Sequence, residues 1–162
     1  MSSLQLIFSH PKNFFSASHF LLGFGKCERL HGHDYLVEVH IEYKENASPA
    51  NFSEINQVIR SKLKLLDHKI LLAGSHSEIL IKSEVDIPNW IVKIGEKTYS
   101  FPKKDVIIFD EISEITLENL TKYLHQELSK GLKKMYPDTF KWIKIIIEEN
   151  YGNKASFSGK II

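Results

Sequence analysis

His31 and His33 stand two residues apart, a spacing that puts both side chains on one face of a β-strand. That face continues through Tyr35 and Val37 and is apolar. Two imidazoles on an apolar face need partners, because a buried polar group without one is costly. A shared metal ion is one solution. Neutral imidazole ligates zinc, and catalytic zinc sites commonly combine three protein ligands with an open position. The competing reading is two histidines satisfied by neighbouring polar groups. Any remaining histidine could supply a third ligand, and His19 is the first candidate. It ends Phe14-Phe15-Ser16-Ala17-Ser18-His19, which a β-hairpin would bring alongside the pair. Cys27, the sole cysteine, lies four residues before His31. It is either a small buried apolar side chain or, near zinc or an imidazolium, a thiol acidic enough to work as a base. Asp67-His68 joins a carboxylate to an imidazole, a pairing that orients the ring for proton transfer. Glu149 closes a strand face lined by isoleucines. Its carboxylate either reaches solvent or anchors a ligand, and it can accept two parallel N–H groups from a guanidine-like base edge.

The elements that must carry these residues are legible in outline. Residues 4–8 form a short apolar run of strand character. From His33 to Tyr43 apolar and polar residues alternate, with Leu36 the exception, and predict a long half-buried strand. Asn51 reads as a helix cap with Glu54 reaching back to it. Phe52, Ile55, Ile59, Leu63 and Leu66 follow at helical spacing, so a helix is expected over Phe52 to Leu65. A second helix is expected after Thr116, with Leu117, Leu120, Leu124, Leu128, Leu132 and Met135 as its stripe and Pro137 as its stop. Trp142 to Glu149 and Ala155 to Ile161 read as a hairpin turning at Asn150-Tyr151-Gly152-Asn153. Between Leu72 and Ser113 the pattern is less regular. A small hairpin bending at Gly95 and a strand over Val106 to Phe109 are expected there. The order implies an α+β domain, four main antiparallel strands with both helices on one face.

Composition limits the class of partner. The chain of 162 residues is expected to form one domain. It has 21 basic and 20 acidic residues, so electrostatics make no case for nucleic acid or an anionic membrane surface. One cysteine excludes an intrachain disulfide framework. No apolar run approaches a membrane span, and no targeting pattern is evident near Met1. A cytoplasmic location is expected. Abundant Lys and Ile, with Arg29 and Arg60 the only arginines, fit an AT-rich genome or a heat-adapted host. His10, His40, His76 and His125 lack spacing partners and are expected on the surface.

Taken together, Phe15-Ser16-Ala17-Ser18-His19, Cys27-Glu28-Arg29-Leu30-His31-Gly32-His33, Leu66-Asp67-His68-Lys69-Ile70-Leu71, Thr116-Leu117-Glu118-Asn119 and Glu149 resemble the 6-pyruvoyl-tetrahydropterin synthase and 6-carboxy-tetrahydropterin synthase family. The likeness runs from about Leu4 to Gly159 apart from the middle. It implies the T-fold, or tunnelling fold, in which ββααββ subunits join their sheets into barrels, and a homohexamer made of two trimers. It also implies Zn2+ on His19, His31 and His33, Cys27 as the proton-abstracting base, and Asp67 with His68 as a proton relay. Glu149 would hold the pterin, and Thr116 and Glu118 would line or support its pocket. The implied substrate is 7,8-dihydroneopterin triphosphate. The favoured product is 6-carboxy-tetrahydropterin, on the route to deazapurine nucleosides such as queuosine. Three alternatives remain: triphosphate elimination to 6-pyruvoyl-tetrahydropterin, aldol cleavage of a dihydroneopterin side chain using Glu28, and a non-catalytic pterin-binding oligomer with structural zinc. Against the family pattern, Asn51 replaces an Asp, Leu117 replaces a hydroxyl residue, and the segment of about 72–113 is an extended insertion.

Overall fold

A computed structural model describes residues 4–83 and 88–162. The chain forms two compact units. The first holds the residues up to Phe15, Asp34–Asp67 and Leu117–Ile162; the second holds Ser16–His33 and His68–Thr116. Two strands run from one unit into the other: β2 (Phe14–His19) and β3 (His31–Tyr43).

In the first unit, β1 (Gln5–Phe8) pairs antiparallel with the far end of β3. On its other side β3 pairs with β9 (Phe140–Glu149), and β9 pairs with β10 (Asn153–Lys160), both antiparallel. The alternation expected along β3 is observed. Tyr35, Val37, Val39 and Ile41 are buried, and Ile147, Ile145 and Ile143, the cross-strand partners of the last three, are buried with them. Each such side chain contributes about 1.5–3 kcal/mol when removed from water. The apolar exception, Leu36, faces outward and is 40% exposed.

Helix α1 (Phe52–Leu66) and helix α2 (Leu117–Met135) cover the buried face, with α2 lying on β9 and β10 and against α1. Gly131 permits the approach of the two helices, since a Cβ there would stand 2.9 Å from Val58 Cγ1. The ends of the expected stripes are corrected: Phe52 is 58% and Met135 41% exposed. The cap of α1 also differs. The Asn51 side chain accepts from Ser53 N–H at 2.8 Å as expected. Glu54, however, accepts a short bond from the Tyr136 hydroxyl, and that hydroxyl accepts from Asn51 N–H at 3.0 Å. Tyr136 bridges the two residues that the sequence pattern joined directly. His125 is a further correction. It is 5% exposed, edge-on to Phe157 of β10, not on the surface.

In the second unit, the end of β2 pairs in parallel with β4 (Lys69–Ala73), and β4 pairs in parallel with β8 (Val106–Phe109). These parallel pairs add to the expected antiparallel strands. A separate antiparallel sheet has the order β5 (Ile79–Ser83), β6 (Asn89–Ile94), β7 (Lys97–Pro102). It contains the expected hairpin, whose Gly95 takes φ +57. Among the described residues no helix is long and apolar enough to cross a membrane.

Candidate metal centre and neighbouring residues

His19 ends β2, and His31 and His33 open β3. Each offers a ring nitrogen within 4.8 Å of the others. The ring centroids lie 4.5 Å (His19–His31), 5.3 Å (His19–His33) and 5.0 Å (His31–His33) apart. The close approach depends on Gly32, where a Cβ would come within 3.1 Å of both the Ala17 carbonyl oxygen and Ser18 Oγ.

Two of the rings are oriented by main-chain carbonyls. His19 Nδ1 lies 2.8 Å from the Ile115 oxygen, and His31 Nδ1 lies 2.7 Å from the Arg29 oxygen. A carbonyl can only accept, so both Nδ1 atoms carry the proton and both Nε2 atoms are the basic nitrogens available to an ion. A ligating histidine typically has its other ring nitrogen held in this way. His19 is 3% exposed, and burial pushes its pKa down to about 4, against the opposing bond to Ile115 and reinforced by His31 and His33. The ring is therefore neutral near pH 7, the form a metal requires. The donor set suits zinc: three imidazoles, the number of protein ligands that catalytic zinc sites commonly use.

Cys27 is half-buried in a short 3-10 turn, Gly25–Glu28. Its carbonyl accepts from Leu21 N–H at 2.9 Å, which folds the segment back on itself. Glu28 Oε1 accepts from Gly23 N–H at 3.1 Å and so ties the same loop.

Asp67 is the residue after α1, and His68 follows at φ +58 before β4 begins. The left-handed backbone is uncommon for a residue with a side chain and concentrates at functional positions. His68 is exposed, and its N–H donates to the Ser16 oxygen at 2.7 Å.

Glu149 ends β9 opposite Tyr35 in register. The Tyr35 hydroxyl donates to Glu149 Oε1 at 3.3 Å. Burial, then the Glu149 charge, raise the Tyr35 pKa far above the ordinary phenol value, so it remains a donor. Thr116 is half-buried beside Ile115, and Glu118 is exposed in the first turn of α2, where a carboxylate also suits the helix dipole.

His19, His31 and His33 are thus brought together. Cys27, Thr116 and His68 belong to the same unit; Asp67, Glu118 and Glu149 belong to the first. Sequence reasoning missed Tyr35 as the partner of Glu149 and the two carbonyl acceptors. Tyr35 looked like an ordinary core residue, and a main-chain oxygen carries no residue signature. Of the histidines set aside, His10 is exposed, while His40 is 18% exposed and 2.5 Å from Glu38.

Residues 10–160 match the family model described as 6-pyruvoyl tetrahydropterin synthase. A Methanocaldococcus jannaschii protein with a provisional name as a 6-carboxy-5,6,7,8-tetrahydropterin synthase is 30% identical over 158 residues, covering 95% of this chain and 94% of that one. A Haemophilus influenzae 6-carboxy-5,6,7,8-tetrahydropterin synthase is 30% identical over 105 residues, covering 59% of this chain and 71% of that protein. In fold, the chain is similar to a Plasmodium vivax 6-pyruvoyltetrahydropterin synthase carrying a glutamate-to-alanine change at a catalytic residue. The TM-score is 0.85 at 22% identity, with 99% of this chain and 100% of that one covered. The residues that form the histidine cluster and its surroundings therefore sit in a chain that belongs to the 6-pyruvoyl tetrahydropterin synthase family.

Proposed function

We propose that this protein is a zinc-dependent lyase that converts 7,8-dihydroneopterin triphosphate, with water, into 6-carboxy-5,6,7,8-tetrahydropterin, acetaldehyde and triphosphate. The observation that carries the reading is the convergence of His19, His31 and His33, with the Nδ1 atoms of His19 and His31 both engaged by carbonyls. The names of the M. jannaschii and H. influenzae relatives support the carboxy product. The two compact units are read as one domain over residues 1–162 with an insertion at about 72–113, and the protein as a cytoplasmic homohexamer of two trimers with sheets joined into barrels.

Zinc on the three imidazoles would polarise the side-chain oxygens of the substrate. Cys27 removes a side-chain proton as its thiolate. Asp67 orients His68, whose exposed ring delivers or accepts the next proton. Glu149, steadied by Tyr35, accepts the paired N–H groups of the pterin's 2-amino and N3 edge. Thr116 and Glu118 support the pterin pocket. An ion with only structural work would commonly have four protein ligands, so the three-histidine set favours catalysis over a binding module.

A second reading, aldol cleavage of a dihydroneopterin side chain with Glu28 as acid or base, draws on the P. vivax protein, in which a glutamate is a catalytic residue. The bond from Gly23 N–H gives Glu28 a loop-tying role here and favours Cys27. Incubation of zinc-loaded protein with dihydroneopterin triphosphate, followed by mass analysis, tests the assignment. The expected products are 6-carboxy-tetrahydropterin and acetaldehyde. Retention of the three-carbon side chain with triphosphate release, or a hydroxymethyl pterin, would overturn the carboxy assignment.

A further inference from the structure

We propose that the β5–β6–β7 sheet is a brace that positions His19 for metal binding, acting through Phe20; the inference rests on the zinc reading above. Register places Ile79, Ile81, Trp90, Val92, Ile94, Tyr99 and Phe101 on one face of this sheet, with Ser83 and Lys97 at the ends of its strands. Leu80, Lys82, Ile91, Lys93, Thr98 and Ser100 fall on the other. Apart from Ser83 and Lys97 the first face is apolar, and it meets the chain at the residue directly after His19. Phe20 is 3% exposed, with its ring centroid 5.0 Å from Tyr99 and 6.5 Å from Phe101. Tyr99 and Phe101 are themselves stacked, 5.7 Å apart with their planes 13° from parallel.

His19 is therefore held at two points by the stretch that follows α1. Its ring is fixed by the Ile115 carbonyl, and its backbone is fixed by the neighbouring Phe20 ring seated on Tyr99 and Phe101. Metal–ligand distances in a well-formed site fall within about 0.2 Å of their usual values, so the placement of the His19 ring bears on affinity. Loss of the aromatic seat frees the end of β2 and moves the His19 Nε2. Tyr99 and Phe101 are positioning residues: they act on the ion only through Phe20 and His19.

The test is cobalt and zinc titration of the metal-free protein, with cobalt's visible bands reporting tetrahedral geometry and a competing chelator giving zinc affinity. Tyr99→Ala with Phe101→Ala should weaken zinc by about tenfold or more and flatten the cobalt bands, the size seen when groups supporting a ligand are removed. Tyr99→Phe, which keeps the ring, should retain the parental affinity and spectrum. Leu80→Ser, on the opposite face and 48% exposed, should also leave both unchanged. Should the double variant not fold, Phe20→Leu decides the matter; it keeps an apolar side chain without the ring and should weaken zinc about tenfold. Parental binding in Phe20→Leu, or equal weakening in Leu80→Ser, overturns the brace. A parent protein that takes up neither metal overturns the zinc reading itself, and the brace with it.

Discussion

Replacing Gly32 by alanine tests how closely the two strands carrying the histidines must approach. The new Cβ would stand 3.1 Å from the Ala17 carbonyl oxygen and 3.1 Å from Ser18 Oγ, where ordinary contact begins at 3.4 Å. Gly32 does not have a left-handed φ, so alanine meets no conformational penalty and any effect comes from contact. Ser18 can turn its hydroxyl away, but the Ala17 carbonyl belongs to the backbone two residues before His19. The strands must separate by about 0.3 Å, more than the roughly 0.2 Å tolerance of a metal–ligand distance. Zinc affinity should fall about tenfold to a hundredfold, or about 1.4–2.8 kcal/mol. The metal-free protein should lose about 1–3 kcal/mol through overpacking. Chelator competition measures the first quantity and urea unfolding the second. Adding Ser18→Ala should recover part of both losses. A Gly32→Ala protein that binds zinc within twofold of the parent would refute the reasoning.

Other perturbations separate packing from chemistry. Gly131→Ala should lower stability by about 1–3 kcal/mol through the clash with Val58; Val58→Ala should relieve it in the double variant, read by thermal unfolding with zinc affinity unchanged. Burial lowers the His125 pKa, so the folded state binds its proton less readily than the unfolded chain does. Stability from this group is present above the ordinary value of about 6.5 and is lost as pH falls below it; NMR titration should find the ring less than half charged where free histidine is half charged. Glu149→Gln should raise KM for the pterin substrate about tenfold or more by removing a charged acceptor, and Tyr35→Phe should raise it less. Neither should alter zinc uptake, and a loss of zinc in either would contradict the separation of their roles.

Much of this arrangement could be read from the chain, for reasons that differ by residue. The alternation over β3 exposed both the strand and the shared face of His31 and His33, because period-two patterning reports directly on a half-buried sheet. Strand β4 went unread because Ile70, Leu71, Leu72 and Ala73 form a continuous apolar run just after a helix, and periodicity cannot distinguish a fully buried strand from more helix. The site of His125 was hidden by its neighbours. Thr121, His125 and Ser129 recur every four residues on a buried side of α2, yet all three are polar and leave no hydrophobic signal. Gly159 of β10 makes room for the His125 ring. The Glu54 expectation failed for lack of range. A local capping pattern cannot show that Tyr136, 82 residues away, takes the carboxylate.

The bond from His19 to Ile115 has a consequence for how the chain can vary. Its acceptor is a main-chain oxygen, so every amino acid at position 115 brings the same atom, and ring orientation is insensitive to which side chain stands there. Spacing carries the constraint instead. The route from Phe109, at the end of β8, to Leu117, at the start of α2, must deliver that oxygen to His19. One residue gained or lost between those elements would move a different carbonyl, or none, to the ring. Over evolutionary time this segment should accept substitutions at position 115 that keep its core apolar, while resisting insertions and deletions far more strongly than a surface loop of equal length.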